Sequence, residues 1–200
     1  ACDLGYGGVE VRGVGKDISV PSVPAFSDDN IVKTKADLER LDLTIPCLDS
    51  DCCIHLREAE QTTNEEIRAY VRLARKLGAP YVRIMATAPV PQPVGSVDEG
   101  YVQKRAVELG HFALEHGVRL LIETHGVWSD SEKLARLMST VSCEGVGVPT
   151  LDCLLSDPLE REGLFKIFNT YGDGYAVAVF NIAFLALFRS YNNLWEYASI

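Results

Sequence analysis

Leu120-Leu121-Ile122-Glu123-Thr124-His125-Gly126 is an apolar run that stops at a carboxylate, with an imidazole two residues on and a glycine behind it. A buried parallel strand delivers functional side chains at its C-terminal end. This stretch therefore reads as a strand that opens onto a metal or acid–base site.

Working outward, the same grammar recurs. Val9-Glu10-Val11-Arg12 reads as a first short strand, closed by Gly13. A Pro/Gly/Ser-rich loop follows, and Ser27-Asp28-Asp29 offer N-cap chemistry for a helix with Ile31, Leu38 and Leu41 inside. Leu43-Thr44-Ile45-Pro46-Cys47-Leu48 is a second strand, expected to end at Asp49-Ser50. From Asn64 the apolar positions Ile67, Tyr70, Val71, Ala74 and Leu77 keep helical spacing, and Gly78 stops the helix. Tyr81-Val82-Arg83-Ile84-Met85 is a third strand. The next helix carries Val102, Ala106, Leu109 and Ala113 on one face and ends at Gly117. After the opening strand, Ser129-Asp130-Ser131-Glu132 reads as a capping box for a helix with Leu134, Leu137, Met138 and Val141 inside. Residues 146–151 are a fifth strand, ending at Asp152.

Val9, Thr44, Val82, Leu120 and Val148 stand 35, 38, 38 and 28 residues apart. That near-regular period is the signature of parallel βα units in an α/β protein. No GxGxxG follows any strand, so a dinucleotide-binding sheet loses its main support and a barrel is expected.

Length and composition narrow the function. Two hundred residues suit a single domain over 1–200, and 47% hydrophobic residues supply a core. A formal net charge of −9 argues against nucleic acid, whose phosphates need clustered Lys and Arg. Cys2, Cys47, Cys52, Cys53, Cys143 and Cys153 form no CxxC pair, so reduced thiols are expected. With no signal peptide visible, the expected location is cytoplasmic. The apolar stretch 175–188 is too short to span a bilayer and is broken by Asn181; it reads as a buried core element, with no membrane as partner. Ala1-Cys2-Asp3-Leu4-Gly5-Tyr6 reads as the end of a helix already under way, so the true N-terminus is expected upstream.

Glu10, Asp49, Glu123 and Asp152 all fall on or near the C-terminal ends of strands. In a parallel barrel those ends converge, and converging acids call for a cation or a shared proton. Oxygen ligands with one imidazole suit Mn²⁺, Mg²⁺ or Zn²⁺. Arg12 and Arg83 sit on or beside strands, where an arginine needs a carboxylate or an anionic substrate; a structural ion pair is expected for Arg83. His55 follows the second strand within reach of the mouth, and His125 lies close enough to share the site of Glu123.

Four motifs in order carry a family resemblance: Gly5-Tyr6-Gly7-Gly8-Val9-Glu10-Val11-Arg12-Gly13, Pro46-Cys47-Leu48-Asp49-Ser50, Leu77-Gly78-Ala79-Pro80-Tyr81-Val82-Arg83 and Ile122-Glu123-Thr124-His125-Gly126. Over about residues 4–152 the chain resembles the sugar phosphate isomerase/epimerase family of xylose isomerase-like TIM barrels. The resemblance implies metal-dependent isomerisation or epimerisation of a sugar or sugar phosphate through an enediolate. Glu123 would be metal ligand and acid–base group, Asp152 a second metal ligand, and Glu10, Arg12, His55 and His125 would line the substrate pocket.

The chain also departs from the family. Asp152 is followed by Cys153-Leu154-Leu155 where the family places a histidine, and no histidine follows His125 to supply the seventh-strand ligand. The barrel is therefore expected to be incomplete at the N-terminus and diverged at the C-terminus, with weak retention of the divalent metal. An open strand edge at Val9-Glu10-Val11-Arg12 would favour self-association. Two other readings stand beside the isomerase: a degenerate, inactive paralogue, and a metal-dependent phosphodiester hydrolase of the endonuclease IV type. Four histidines and the acidic charge speak against the latter.

Overall fold

The computed structural model describes residues 6–88, 92–93 and 95–148. Asp152 and the segment 175–188 lie outside the described residues.

After α1 (Ile31–Arg40), strands and helices alternate: β1 (Cys47–Cys53), α2 (Glu60–Leu77), β2 (Tyr81–Met85), α3 (Glu99–Glu115), β3 (Arg119–Glu123), α4 (Ser131–Val141) and β4 (Val146–Gly147). All strand pairs are parallel, in the order β1-β2-β3-β4. Strand order equal to chain order decides the architecture. Right-handed crossovers that always step the same way put every helix on the same face, as a β/α barrel requires, whereas a doubly wound sheet reverses direction.

The two faces of the sheet differ in chemistry because strand side chains alternate. Leu48, Val82, Ile84, Leu120 and Ile122 are completely buried and join one core with Ile67, Tyr70 and Val71 of α2 and Val102, Ala106 and Leu109 of α3. Burying each large aliphatic contributes roughly 1.5–3 kcal/mol. The opposite, inner face carries Cys47, Asp49, Arg83, Met85, Leu121 and Glu123. It mixes apolar with charged groups, as a pocket floor does.

The segment 7–11 supplies the strand before β1. Val9 N and Val11 N donate to Thr44 O (2.9 Å) and Cys47 O (3.1 Å), and Asp49 N donates to Val11 O (2.9 Å). It is a pair of isolated parallel bridges rather than a regular ladder. The expected self-association is a question for the edge of this segment. Among the described residues its backbone bonds run to 44–49.

Several boundaries differ from the sequence reading: β1 starts at Cys47 rather than Leu43, and the N-cap position of α1 is Asn30, with no side-chain cap, rather than one of Ser27-Asp28-Asp29. β1 runs through Asp49 to Cys53 instead of stopping at the acid, because Arg83 on β2 neutralises Asp49 within the sheet. α2 starts at Glu60 rather than Asn64; its first turn is polar, so hydrophobic periodicity is silent there, but Thr63 is buried and Thr63 N donates to Ala59 O (2.9 Å). The cap of α4 is Asp130, whose carboxylate accepts from Glu132 N (3.0 Å) and Lys133 N (3.1 Å). Ser129 is already used, donating from its hydroxyl to Gly126 O (2.7 Å). Leu41, read as an inner position, falls past the end of α1 and is 37% exposed.

The seating of α3 against the start of β4 rests on two glycines. A Cβ on Gly145 would stand 2.7 Å from the Gly110 carbonyl carbon, and one on Gly110 would stand 3.2 Å from Cys143 Sγ. Gly145→Ala is expected to destabilise by about 1–3 kcal/mol through overpacking of backbone on backbone. Urea denaturation checks this, and a loss below about 0.5 kcal/mol would show that the helix can retreat freely.

Candidate active site

Arg83 is the centre of the inner face. It rises from the middle of β2, one Nη donates to Asp49 Oδ2 at 2.8 Å and the other to Glu123 Oε1 at 3.1 Å. Asp49 is paired with Arg83 in the register of β1 and β2, and Glu123 lies one side-chain layer higher, opposite Met85. A forked guanidinium can hold both acids at once, which an ammonium cannot. Asp49 and Glu123 are only 5% and 7% exposed, so the pairing offsets a large desolvation penalty.

His125 completes the upper layer. Its Nε2 lies 2.9 Å from Glu123 Oε1. The chain turns back to make this contact: His125 N donates to Glu123 O (3.0 Å), Trp128 N donates to His125 O (3.1 Å), and Thr87 Oγ1 donates to the same carbonyl (3.2 Å). Gly126 permits that turn at φ +59°, where a Cβ would also stand 2.7 Å from Thr87 Oγ1. The glycine after His125 thus positions an imidazole against a carboxylate.

Glu10 approaches the same cluster from the segment 7–11. Its surface is exposed, yet crowding by protein on its inner side raises its pKa, Asp49 and Glu123 raise it further, and Arg83 opposes them. Burial likewise raises the pKa of Asp49, against the lowering effect of Arg83. Cys47, two residues before Asp49 on the same face, is held as a thiol by burial and by the carboxylates of Asp49 and Glu10. Three carboxylates face one guanidinium, so the floor has an excess of negative charge. Two buried oxygens, Asp49 Oδ1 and Glu123 Oε2, have no hydrogen-bond partner among the described residues. An orphaned buried carboxylate oxygen is costly, and a cation relieves it.

The sign of the Glu10 effect gives a test. A carboxyl whose folded pKa is raised disfavours folding above that pKa, and the penalty disappears as pH falls towards the ordinary carboxyl range. Glu10→Gln is therefore expected to raise the melting temperature at pH 7 in the presence of chelator, with the gain over wild type shrinking at pH 4 to 5. A gain that is equal at both pH values would show that the carboxylate is unstrained.

The remaining sequence candidates are placed differently. Arg12 lies near the cluster in sequence but is exposed and paired with Asp51 at 3.0 Å. His55 sits just past β1, at the same end of the sheet as Glu123, with Nδ1 buried and unpartnered. Burial lowers its pKa, with Glu58 as the charged neighbour that opposes this. Among the described contacts, it does not touch Glu10, Asp49, Arg83 or Glu123. Asp152 lies outside the described residues. Arg83 forms the structural ion pair expected of it. Cys47 is the residue that sequence reading passed over, and its signal was the i, i+2 spacing to Asp49, which puts both on one face of a strand.

Comparison with known proteins agrees with this architecture. A xylose isomerase-like TIM barrel protein from Mycobacterium smegmatis in complex with magnesium superposes with a TM-score of 0.63 at 19% identity, covering 82% of this chain and 60% of its own. The IOLI protein with a bound zinc atom gives 0.56 at 17% identity, covering 74% and 53%. An L-ribulose 3-epimerase gives 0.54 at 12%, covering 72% and 50%. The chain thus spans 50% to 60% of the length of these structures. No curated protein matches it by sequence. No helix among the described residues is long and apolar enough to cross a membrane. The family model for xylose isomerase-like TIM barrels matches residues 1–152, and the chain belongs to that family.

Proposed function

We propose that the protein is a metal-dependent isomerase or epimerase of a sugar or sugar phosphate, with Glu123 as its acid–base carboxylate. In this reading 1–200 form one barrel domain working in the cytoplasm. The observation that carries it is the pinning of Glu123. Arg83 and His125 both hold Oε1, while Oε2 is buried and uncommitted. A carboxylate held on one oxygen and free on the other is positioned to accept a proton from a carbon acid, or to bind a cation, without reorganising.

Among the described residues Glu123 Oε2 is one buried, unpartnered hard oxygen, and Asp152 is the expected second ligand, a set that would hold a divalent metal weakly. Relatives of this fold are described with magnesium and with zinc. A metal bound there would stabilise negative charge on a substrate oxygen. The chain's own residues do the rest: Glu123 takes the proton beside the carbonyl, a second carboxylate returns it to another carbon or face, His125 and Arg83 fix the orientation of Glu123, and Glu10 borders the space for the sugar.

The test is proton exchange. Protein supplied with Mg²⁺, Mn²⁺ or Zn²⁺ is incubated in D₂O with a panel of aldoses, ketoses and their phosphates. Proton NMR should show loss of the signal at the carbon beside the carbonyl, together with a new epimer or isomer. Absence of exchange across the panel with every metal would favour the inactive paralogue.

A further inference from the structure

We infer that Glu10, Cys47 and Asp49 form a metal site of their own, for Zn²⁺ or another thiophilic divalent cation, below and separate from the Glu123 centre. It goes beyond the function proposed above and does not rest on it.

The ligand atoms are brought together by strand pairing. Val11 bonds both Cys47 and Asp49, so Glu10 stands beside the two side chains that β1 turns to the inner face. One donor atom from each of the three lies within 4.8 Å of the others. A tetrahedral zinc site with these bond lengths brings donors to about 3.5 Å from one another, a closure within the reach of side-chain rotation. Asp49 supplies the second, independent observation. It is 5% exposed, Arg83 takes only its Oδ2, and its Oδ1 is buried without a partner. The exposed carboxylate of Glu10 gives the ion a path from solvent, and water can fill the fourth position.

The register separates this site from the Glu123 centre. Asp49 pairs with Arg83, and Arg83 with Leu121, whereas Glu123 lies two residues further along β3. Two residues along a strand are about 7 Å. Cys47 lies a further layer down, and Arg83 stands between the trio and Glu123. The ion also offsets charge: Arg83 is shared between Asp49 and Glu123, so the three carboxylates and a Cys47 thiolate bring four negative charges, and the ion and Arg83 bring three positive ones. As the metal–sulfur bond forms, the thiol proton leaves to solvent. The thiolate selects a softer ion than a carboxylate oxygen such as Glu123 Oε2 does.

Co²⁺ is the probe, added to the whole protein after chelation and followed by absorption. The expected result is one equivalent bound, with a sulfur-to-cobalt charge-transfer band, intense tetrahedral bands in the visible, and displacement by Zn²⁺. Cys47→Ser should abolish the charge-transfer band, and Glu10→Gln should weaken affinity by roughly tenfold or more. The band should survive in Glu123→Gln and in a variant with Cys52, Cys53 and Cys143 all replaced by serine. Circular dichroism verifies the fold of each variant. If Cys47→Ser fails to fold, the exposed Glu10→Gln decides, and unchanged affinity there overturns the site. Absence of a thiolate band, its persistence in folded Cys47→Ser, or its loss in Glu123→Gln would also overturn it. None of these outcomes depends on whether any sugar is turned over.

Discussion

Arg83→Met is expected to destabilise the protein by about 3–5 kcal/mol at pH 7, the cost of leaving buried carboxylates without their cation. Arg83 touches Asp49 and Glu123 at once, and the two acid side chains are 7% and 10% exposed. Methionine keeps the stem and its packing, so the loss reports charge rather than a cavity. The deficit should be smaller near pH 4 to 5. With the guanidinium gone, its lowering effect on Asp49 is lost, so Asp49 takes up a proton more readily in the folded than in the unfolded chain, and acidification then favours folding. Arg83→Lys should recover part of the loss, because one ammonium cannot span both acids in the geometry of the fork. Urea melts at the two pH values are the measurement. A loss under about 1 kcal/mol at pH 7 would mean that water already solvates these acids and that the inner face is not the low-dielectric floor described above.

The barrel-type order was legible because its signals are local and repeated. The apolar run Leu120-Leu121-Ile122, the stripe Ile67, Tyr70, Val71 and Ala74, and the period between strands all answer to side-chain alternation and helical spacing. What was illegible depended on long-range partners. Asp49 reads as a strand end in sequence because nothing nearby says that Arg83, thirty-four residues on, will neutralise it. Ser129 and Asp130 both suit a cap, and only the preceding turn, which uses the Ser129 hydroxyl, gives the role to Asp130. Of the candidate site, the Glu123–His125 pair could be read from one short motif, since the two groups share a strand end and its turn. The family resemblance puts Glu10 in the lining of the pocket, and its electrostatic neighbours are those of the inner face. Cys47 was missed because a buried cysteine on a strand has an ordinary packing role until its face is known. Arg12 and His55 lie at positions where sequence proximity overstates contact, the first occupied with Asp51 and the second a turn beyond β1.

Glu123→Gln is expected to lower kcat for the proposed proton transfer by about 10³-fold, within the range that a positioned general base supplies. The substitution isolates the chemical role well. Glutamine has the same shape, and its amide oxygen can still accept from Arg83 and His125 where Oε1 does now. Melting temperature should therefore change little compared with Arg83→Met, while the amide can neither take a proton nor neutralise a cation at Oε2. KM should change less than kcat, because the lost interaction is made in the transition state rather than in substrate binding. Glu123→Asp separates proximity from charge. It keeps the carboxylate but withdraws it by one methylene from both Arg83 and the reacting carbon, and a displacement of about 1 Å can by itself cost 10²-fold. The decisive readout is deuterium exchange at the carbon beside the carbonyl, which reports proton abstraction even when product release limits turnover. If Glu123→Gln exchanges that proton as fast as wild type, the base lies elsewhere on the inner face, and the pairing of Glu123 with Arg83 and His125 serves the fold alone.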